Sequence, residues 1–367
     1  MDVVYYTNQG GREVNEDSLF MTDGAYVVCD GLGGHASGEV ASNCAVKVMS
    51  ELCAGNPPYS PELINTFYLR ANQAVIALEE QALTTIVGGF VRDGIFYYQS
   101  VGDSRLYYFR DGKILAQTKD DSVCQAAVDL GSMSYEEIRT SEDRSRLLKV
   151  LGNDPELKIM RKYEPITMKK GDAFLVCSDG FWEHVLDQEM TETLHQSVNA
   201  EEWLNQMLRI QYGRAKNRDD NYTVICAIAE EADAASGGDR SETVPVSKSV
   251  IESALTSIPV SKAEKLHDEI HTEQFETMPI REVDVDPRSE MKNAPAGDIP
   301  YSTPYGAPGE SQFKRVSNDG NVTASFDSVQ PDIRPDRFDD ADQEYDDDEY
   351  YDEEPEKKGF FSRLFGR

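Results

Sequence analysis

Asp-Gly pairs set among aromatic and β-branched residues narrow the folds open to this chain more than any other feature. "SLFMTDGAYVVCD" and "GGFVRDGIFYYQSVGDSRLYYFRDGKI" hold them at Asp23-Gly24, Asp93-Gly94 and Asp111-Gly112. Such a pair is the strongest short-range signal for a tight turn between two antiparallel strands. Two longer stretches have a helical period instead. In "SGEVASNCAVKVMSELC" the residues Val40, Cys44, Val48 and Leu52 recur at steps of four, and "SPELINTFYLRANQAVIALEEQA" opens with Ser60 as a cap, then Pro61 and Glu62. Hairpins interrupted by helix pairs predict an α+β domain over residues 1–230, with helices covering antiparallel sheets. "DSVCQAAVDLGSMSYEEIRTSEDRSRLLKVLG" is helical in pattern but polar and broken by Gly131, and is expected as a surface insertion.

Past Glu230 the pattern dissolves. Residues 231–367 carry 32 acidic against 15 basic side chains, a net of −17 out of −31 for the whole chain. Residues 231–356, rich in Ser, Thr, Pro, Asp and Glu, read as a disordered acidic linker, since they cannot bury enough apolar surface to offset chain entropy. The closing "EKKGFFSRLFGR", residues 357–367, sets Phe360, Phe361, Leu364 and Phe365 among Lys357, Lys358, Arg363 and Arg367. It is expected to dock on a partner or a membrane surface. So acidic a chain is a poor nucleic-acid binder. The six cysteines form no CxxC pair and read as small buried hydrophobes in a reducing compartment. The start, "MDVVYYTNQG", has no basic region and no long apolar run, and no window reaches a spanning length. A cytoplasmic protein, recruited to the membrane by its closing peptide, is the expectation.

Acids recur where apolar strands begin or end. "VVCDGLGGH" puts Asp30 after a strand, "YQSVGDSR" puts Asp103 in a turn, and "AFLVCSDG" puts Asp179 after another strand. "NRDDNYTVICAIA" sets Asp219 and Asp220 just before a fourth, and "GGREVNED" brings Arg12, Glu16 and Asp17 ahead of the first hairpin. Any one of these alone is an ordinary turn. Together they predict carboxylates converging at one edge of packed sheets, where they repel unless a cation sits between them. Oxygen ligands without His or Cys point to a hard ion, Mg²⁺ or Mn²⁺.

"QGGREVNED", "DGLGGHASGE", "GDSR", "CSDG" and "DDNYTV", in this order, resemble the metal-dependent protein phosphatase 2C family in its bacterial branch. "LTT" at 83–85, "QTKDDS" at 117–122 and "LLKVLG" at 147–152 fit too, and the resemblance covers residues 1–230. It implies a four-layer α-β-β-α sandwich of two antiparallel sheets flanked by helix pairs. It also implies a phosphoprotein phosphatase that hydrolyses phosphoserine and phosphothreonine by attack of a metal-bridging hydroxide, opposing a bacterial serine/threonine kinase. Two Mn²⁺ or Mg²⁺ ions are implied: Asp30 bridges them, the Gly31 carbonyl serves one, and Asp179 and Asp220 hold the other. Glu16 and Asp17 act mostly through water, and Asp103 with Asp179 takes a third, weaker ion. Arg12 matches the arginine that grips the phosphate. His35 matches the histidine proposed as general acid, the other reading being that it only orders water. The sequence departs from the family at Asp121, where a histidine is common, just before the insertion at 123–146 that replaces the family's mobile flap. The rival readings are a catalytically silent binding module and a phosphatase with one dedicated substrate.

Overall fold

The computed structural model describes residues 1–33, 37–78, 82–215 and 219–230, with the backbone of 312–316 and 322–324. Two of the Asp-Gly pairs form the turns their chemistry allows. Both central residues have positive φ at Asp93-Gly94 (52° and 74°) and at Asp111-Gly112 (50° and 64°). They join β5 (Ile86–Arg92) to β6 (Ile95–Val101) and β7 (Arg105–Arg110) to β8 (Lys113–Gln117). The pair at Asp23-Gly24 works differently. Between β2 (Asp17–Met21) and β3 (Ala25–Leu32), the Thr22 hydroxyl accepts from the backbone N–H of Gly24 and Ala25 at 3.2 and 3.0 Å.

The remaining elements are β1 (Asp2–Asn8), α1 (Ser37–Cys53), α2 (Pro61–Ile76), β4 (Leu83–Thr84), α3 (Val123–Asp129), a 3₁₀ turn (Glu136–Thr140), β9 (Ile166–Thr167), β10 (Ala173–Cys177), α4 (Asp179–Trp182), α5 (Asp187–Gln196), α6 (Ala200–Arg214), β11 (Tyr222–Ile228), β12 (Gln312–Val316) and β13 (Val322–Ala324). One sheet runs β12-β1-β11-β10-β7-β8, the other β13-β2-β3-β5-β6-β9, with β4 paired to β3.

Period-2 alternation sorts each strand between two apolar layers, which is why the strand sequences look like continuous hydrophobic runs. Val3 and Tyr5 of β1 point between the sheets, with Val28, Phe96, Phe174 and Ile225. Val4 and Tyr6 point the other way, onto Trp203, Leu204 and Leu208 of α6. Phe20, Val27 and Phe90 face Cys44 and Met49 of α1 and Leu63 and Phe67 of α2. Helices, sheet, sheet and helices therefore form four layers, as expected. Ser60 caps α2, its hydroxyl accepting from the Leu63 N–H at 3.2 Å.

The insertion is not purely a surface element. Cys124 and Ile138 are buried in the α5–α6 layer, which corrects the expectation drawn from its polar composition. All six cysteines are free and buried, as their apolar settings suggested. Among the described residues no helix is long and apolar enough to cross a membrane. Most of the expected linker, and the whole closing peptide, lie outside the described residues. The two described stretches are strands: β12 pairs antiparallel with β1, Val316 opposite Val3, and β13 with β2, Val322 opposite Met21. Disorder throughout 231–356 was too broad an expectation for these stretches, because β1 and β2 would otherwise leave rows of open backbone groups at the sheet edges.

Candidate metal centre

The acids meet where strands of both sheets end. In the antiparallel register of β2 and β3, Asp17 stands directly opposite Asp30. Side chains so placed are close neighbours, and two like charges there are unfavourable. Asp17 is 3% exposed. Its Oδ2 accepts from the Ser178 hydroxyl at 2.7 Å, and Ser178 in turn accepts from the Thr223 N–H at 2.9 Å, which ties the second sheet to β10 and β11 of the first. Its Oδ1 is buried with no hydrogen-bond partner, and so is Oδ1 of Asp179, the first residue of α4.

The main chain around Asp30 is held firmly. Its N–H donates to Thr85 Oγ1 at 3.0 Å, and its carbonyl accepts from the Thr85 N–H and the Thr84 hydroxyl at 2.8 Å each. Thr85 Oγ1 also meets the Ser104 hydroxyl at 2.7 Å, beside Asp103. Gly31 is required by close approach: a Cβ there would lie 2.2 Å from the Gly38 carbonyl oxygen and 2.6 Å from that of Glu16.

Asp220 precedes β11 and accepts from the Arg12 guanidinium at 2.7 Å. Asn221, next in sequence, organises the loop between β1 and β2. Its Nδ2 donates to the carbonyls of Gln9 and Val14, and its Oδ1 accepts from the Glu16 N–H, all at 2.9 Å. Asp103 is 4% exposed, in the turn between β6 and β7, and its carbonyl accepts from Trp182 Nε1 at 3.0 Å. Asp121 lies next to that turn, donating its N–H to the Gly102 carbonyl at 2.7 Å, with its carboxylate 3.6 Å from Arg161 and 3.9 Å from Lys149. His35 lies outside the described residues.

Electrostatics shows what this arrangement costs. Burial, followed by repulsion from Asp17, Asp179, Asp103 and Asp220, lifts Asp30 well above the usual carboxylate range. Asp179 is lifted by burial and by Asp103, Glu183 and Asp220. Asp17 and Asp103 rise mainly by burial too. Arg12 goes the other way for its type, held more firmly charged chiefly by Asp220. Among the described residues no three His, Cys, Asp or Glu side chains are already drawn together as a ready-made cage. The acids are neighbours that repel. Two orphaned buried oxygens in an all-oxygen donor set nevertheless fit hard divalent ions, which would supply the missing partners.

Positioning by Thr85, Ser178, Asn221 and Trp182 was not read from the sequence. The only signal for it was that Ser178, Asn221 and Trp182 stand within or beside a motif that carries an acid, and Thr85 within the "LTT" segment that fits the family.

An antiparallel sandwich with helices outside both sheets and a cluster of mutually repelling acids at the strand ends defines the class of protein. The sequence profile of the protein phosphatase 2C family matches residues 8–210, and the chain belongs to that family. It is similar to the serine/threonine protein phosphatase PstP of Mycobacterium tuberculosis, 30% identical over 255 residues that cover 64% of this chain and 48% of that protein. The chain thus spans about half the length of that relative. The serine/threonine phosphatase stp of Listeria monocytogenes is 26% identical over 229 residues, 59% of this chain and 88% of that one. Among solved structures it is similar to the catalytic domain of PstP in complex with two manganese ions. The TM-score is 0.54 at 25% identity, covering 62% of this chain and 100% of the other.

Proposed function

We propose that the chain is a metal-dependent phosphatase acting on phosphoserine and phosphothreonine of proteins, and that it opposes a bacterial serine/threonine kinase. The observation that carries this reading is the pair of buried carboxylate oxygens, on Asp17 and Asp179, that no hydrogen bond satisfies within a cluster of mutually repelling acids. Relatives named as serine/threonine phosphatases, one solved with two manganese ions, support it.

In this reading Asp30, the Gly31 carbonyl, Asp179 and Asp220 hold two ions, Mn²⁺ or Mg²⁺. Glu16 and Asp17 act through water, and Asp103 with Asp179 takes a third ion. When bound, the ions turn a water into a nucleophile near neutral pH and draw charge from the phosphoryl oxygens. Arg12, 55% exposed on the loop between β1 and β2, offers its guanidinium fork to those oxygens. Asp220 orients that fork beforehand. Water oxygen attacks phosphorus, the bond to the serine or threonine oxygen breaks, and His35 gives that oxygen its proton. The closing peptide 357–367 docks the enzyme on a partner or membrane surface.

The test is hydrolysis of p-nitrophenyl phosphate and of a phosphothreonine peptide by the full chain. EDTA is expected to lower both rates by about 10³-fold or more, the loss that follows when several kcal/mol of charge stabilisation are removed, and added Mn²⁺ to restore them. Rates as fast in EDTA as in Mn²⁺ would refute the proposal.

A further inference from the structure

Asp179 and Asp220, assigned together to one ion, come from separate parts of the chain, and a single imidazole reaches the neighbours of both. His184 Nδ1 donates to the carbonyl of Gly180, the residue after Asp179, at 3.2 Å. Its Nε2 lies 3.2 Å from the carboxylate of Asp219, the residue before Asp220, and the two side chains are only 16% and 14% exposed. The two segments are also tightly packed. A Cβ on Gly180 would lie 2.2 Å from the Asn221 carbonyl oxygen, so α4 begins against the backbone that carries Asp220.

The imidazole is anchored from outside. Arg214, at the end of α6, donates to the His184 carbonyl at 2.5 Å and grips Glu189 of α5 at 2.7 and 2.6 Å. Gln211 of α6 donates to the same Gly180 carbonyl at 3.0 Å. On the other side, the Asp219 carbonyl accepts from the Gly11 N–H at 2.9 Å, one residue before Arg12. A continuous set of contacts thus runs from α5 and α6, through His184 and Asp219, to the loop that carries the proposed phosphate-binding arginine.

The acids themselves resist being held together. Burial, and then repulsion from Asp103, Glu183 and Asp220, lifts Asp179. Without a brace the two carboxylates would spread in the metal-free protein, and an incoming ion would have to draw them back. Ligands already held near their working separation bind more tightly, because less freedom is lost on binding.

We propose that His184 is a positioning residue for the Asp179–Asp220 pair. By holding the residue after one acid and the residue before the other, it fixes their separation and so the affinity for the ion they share. The inference rests on the reading that these carboxylates hold a divalent cation.

Calorimetric titration of the full chain with Mn²⁺ alone tests it, on wild type, His184→Phe, His184→Gln, Asp219→Ala and the double variant His184→Phe/Asp219→Ala. Each is first shown to be folded by circular dichroism, and each is melted in EDTA. Phenylalanine keeps a ring but loses both nitrogens; glutamine keeps an amide that can donate to Asp219. Groups that orient metal ligands typically change affinity by about 10–100-fold when removed. His184→Phe and Asp219→Ala are each expected to weaken at least one Mn²⁺ event about 10-fold, with His184→Gln recovering part of the loss. Because both changes break one contact, the double variant is expected to stay within about 2-fold of the weaker single one. His195→Phe is the control, since His195 meets the Gly112 carbonyl at 3.0 Å in the turn between β7 and β8, and should bind Mn²⁺ as wild type does.

The inference is overturned if His184→Phe lowers the melting midpoint in EDTA yet leaves every Mn²⁺ event within about 2-fold of wild type, the mark of a merely structural contact. It is equally overturned if the two single losses add in the double variant, if His184→Gln is as weak as His184→Phe, or if His195→Phe weakens binding as much. Should His184→Phe not fold, Asp219→Ala decides; should neither fold, Arg214→Ala, on a side chain 42% exposed, takes their place with the same expected loss. A wild type that takes up no Mn²⁺ at all would instead defeat the underlying metal reading.

Discussion

Asp30→Asn is expected to lose Mn²⁺-dependent hydrolysis of p-nitrophenyl phosphate by about 10³-fold or more, and yet to be the more stable protein when metal is absent. The loss follows from removing the carboxylate assigned to both ions. The gain follows from the register that sets Asp30 opposite Asp17, where an amide no longer repels its neighbour. Relieving one like-charge pair across two strands contributes on the order of 1 kcal/mol.

The pH dependence has a definite sign. Burial lifts Asp17 to about 7, so the folded protein binds its proton more tightly than the unfolded chain does. The stability this lends is present at low pH. It drains away from about pH 4, the ordinary carboxylate value, and is gone above about pH 7. Metal-free wild type should therefore weaken over that span, and the advantage of Asp30→Asn should be largest above it. Thermal melts in EDTA and in Mn²⁺ read both effects, since Mn²⁺ is expected to raise the wild-type midpoint and not that of the variant. A variant that melts below wild type in EDTA, or still gains from Mn²⁺, would count against the proposed bridging place of Asp30.

Asp120→Ala is expected to cost about 3–5 kcal/mol of unfolding free energy, the largest single loss foreseen outside the apolar core. Arg105 and Asp120 are 1% and 2% exposed and form a two-pronged ion pair, Nε to Oδ1 at 2.8 Å and a terminal nitrogen to Oδ2 at 2.7 Å. Tyr107 and Tyr135 take further guanidinium hydrogens at 3.3 and 3.0 Å. Alanine would leave a buried cation without its counter-charge, and its position over the Trp182 ring would slacken too. Urea denaturation measures the loss, and Arg105→Met/Asp120→Leu, which removes both charges, should recover much of it. A loss below about 1 kcal/mol, typical of an exposed pair, would show that water reaches this site.

What could be read in the sequence was what local chemistry dictates. Asp-Gly turns declared the hairpins because the backbone angles they favour are a property of two adjacent residues. The acids at strand ends stood out because four or more such corners in one domain are hard to explain as turns alone. Positioning could not be read in this way. Trp182 and Asp103 are 79 residues apart, Asn221 and Gln9 are 212 apart, and nothing in either neighbourhood announces the other. Polar residues outnumber apolar ones in the insertion, which predicts a surface element, yet Cys124 and Ile138 are buried in the helical layer and Val128, Met133 and Tyr135 pack against it. The stretch "QFKRVSNDGNVTASF" carries the same Asp-Gly signal as the early hairpins, at Asp319-Gly320. Averaging composition over a long acidic segment hid it. Even noticed, it would have suggested two strands paired with each other, whereas β12 and β13 join different sheets.

Those two short strands bear on how the protein can be handled. Each lies along the outer margin of its sheet, beside β1 and β2, which come from the very start of the chain. Shortening the protein at the apparent end of its catalytic part would strip both margins at once. The exposed ladders would then be free to template on other copies, so a trimmed preparation should clump as its concentration rises while the intact one stays dispersed. In this sense the acidic extension doubles as a guard for the edges that β1 and β2 would otherwise present.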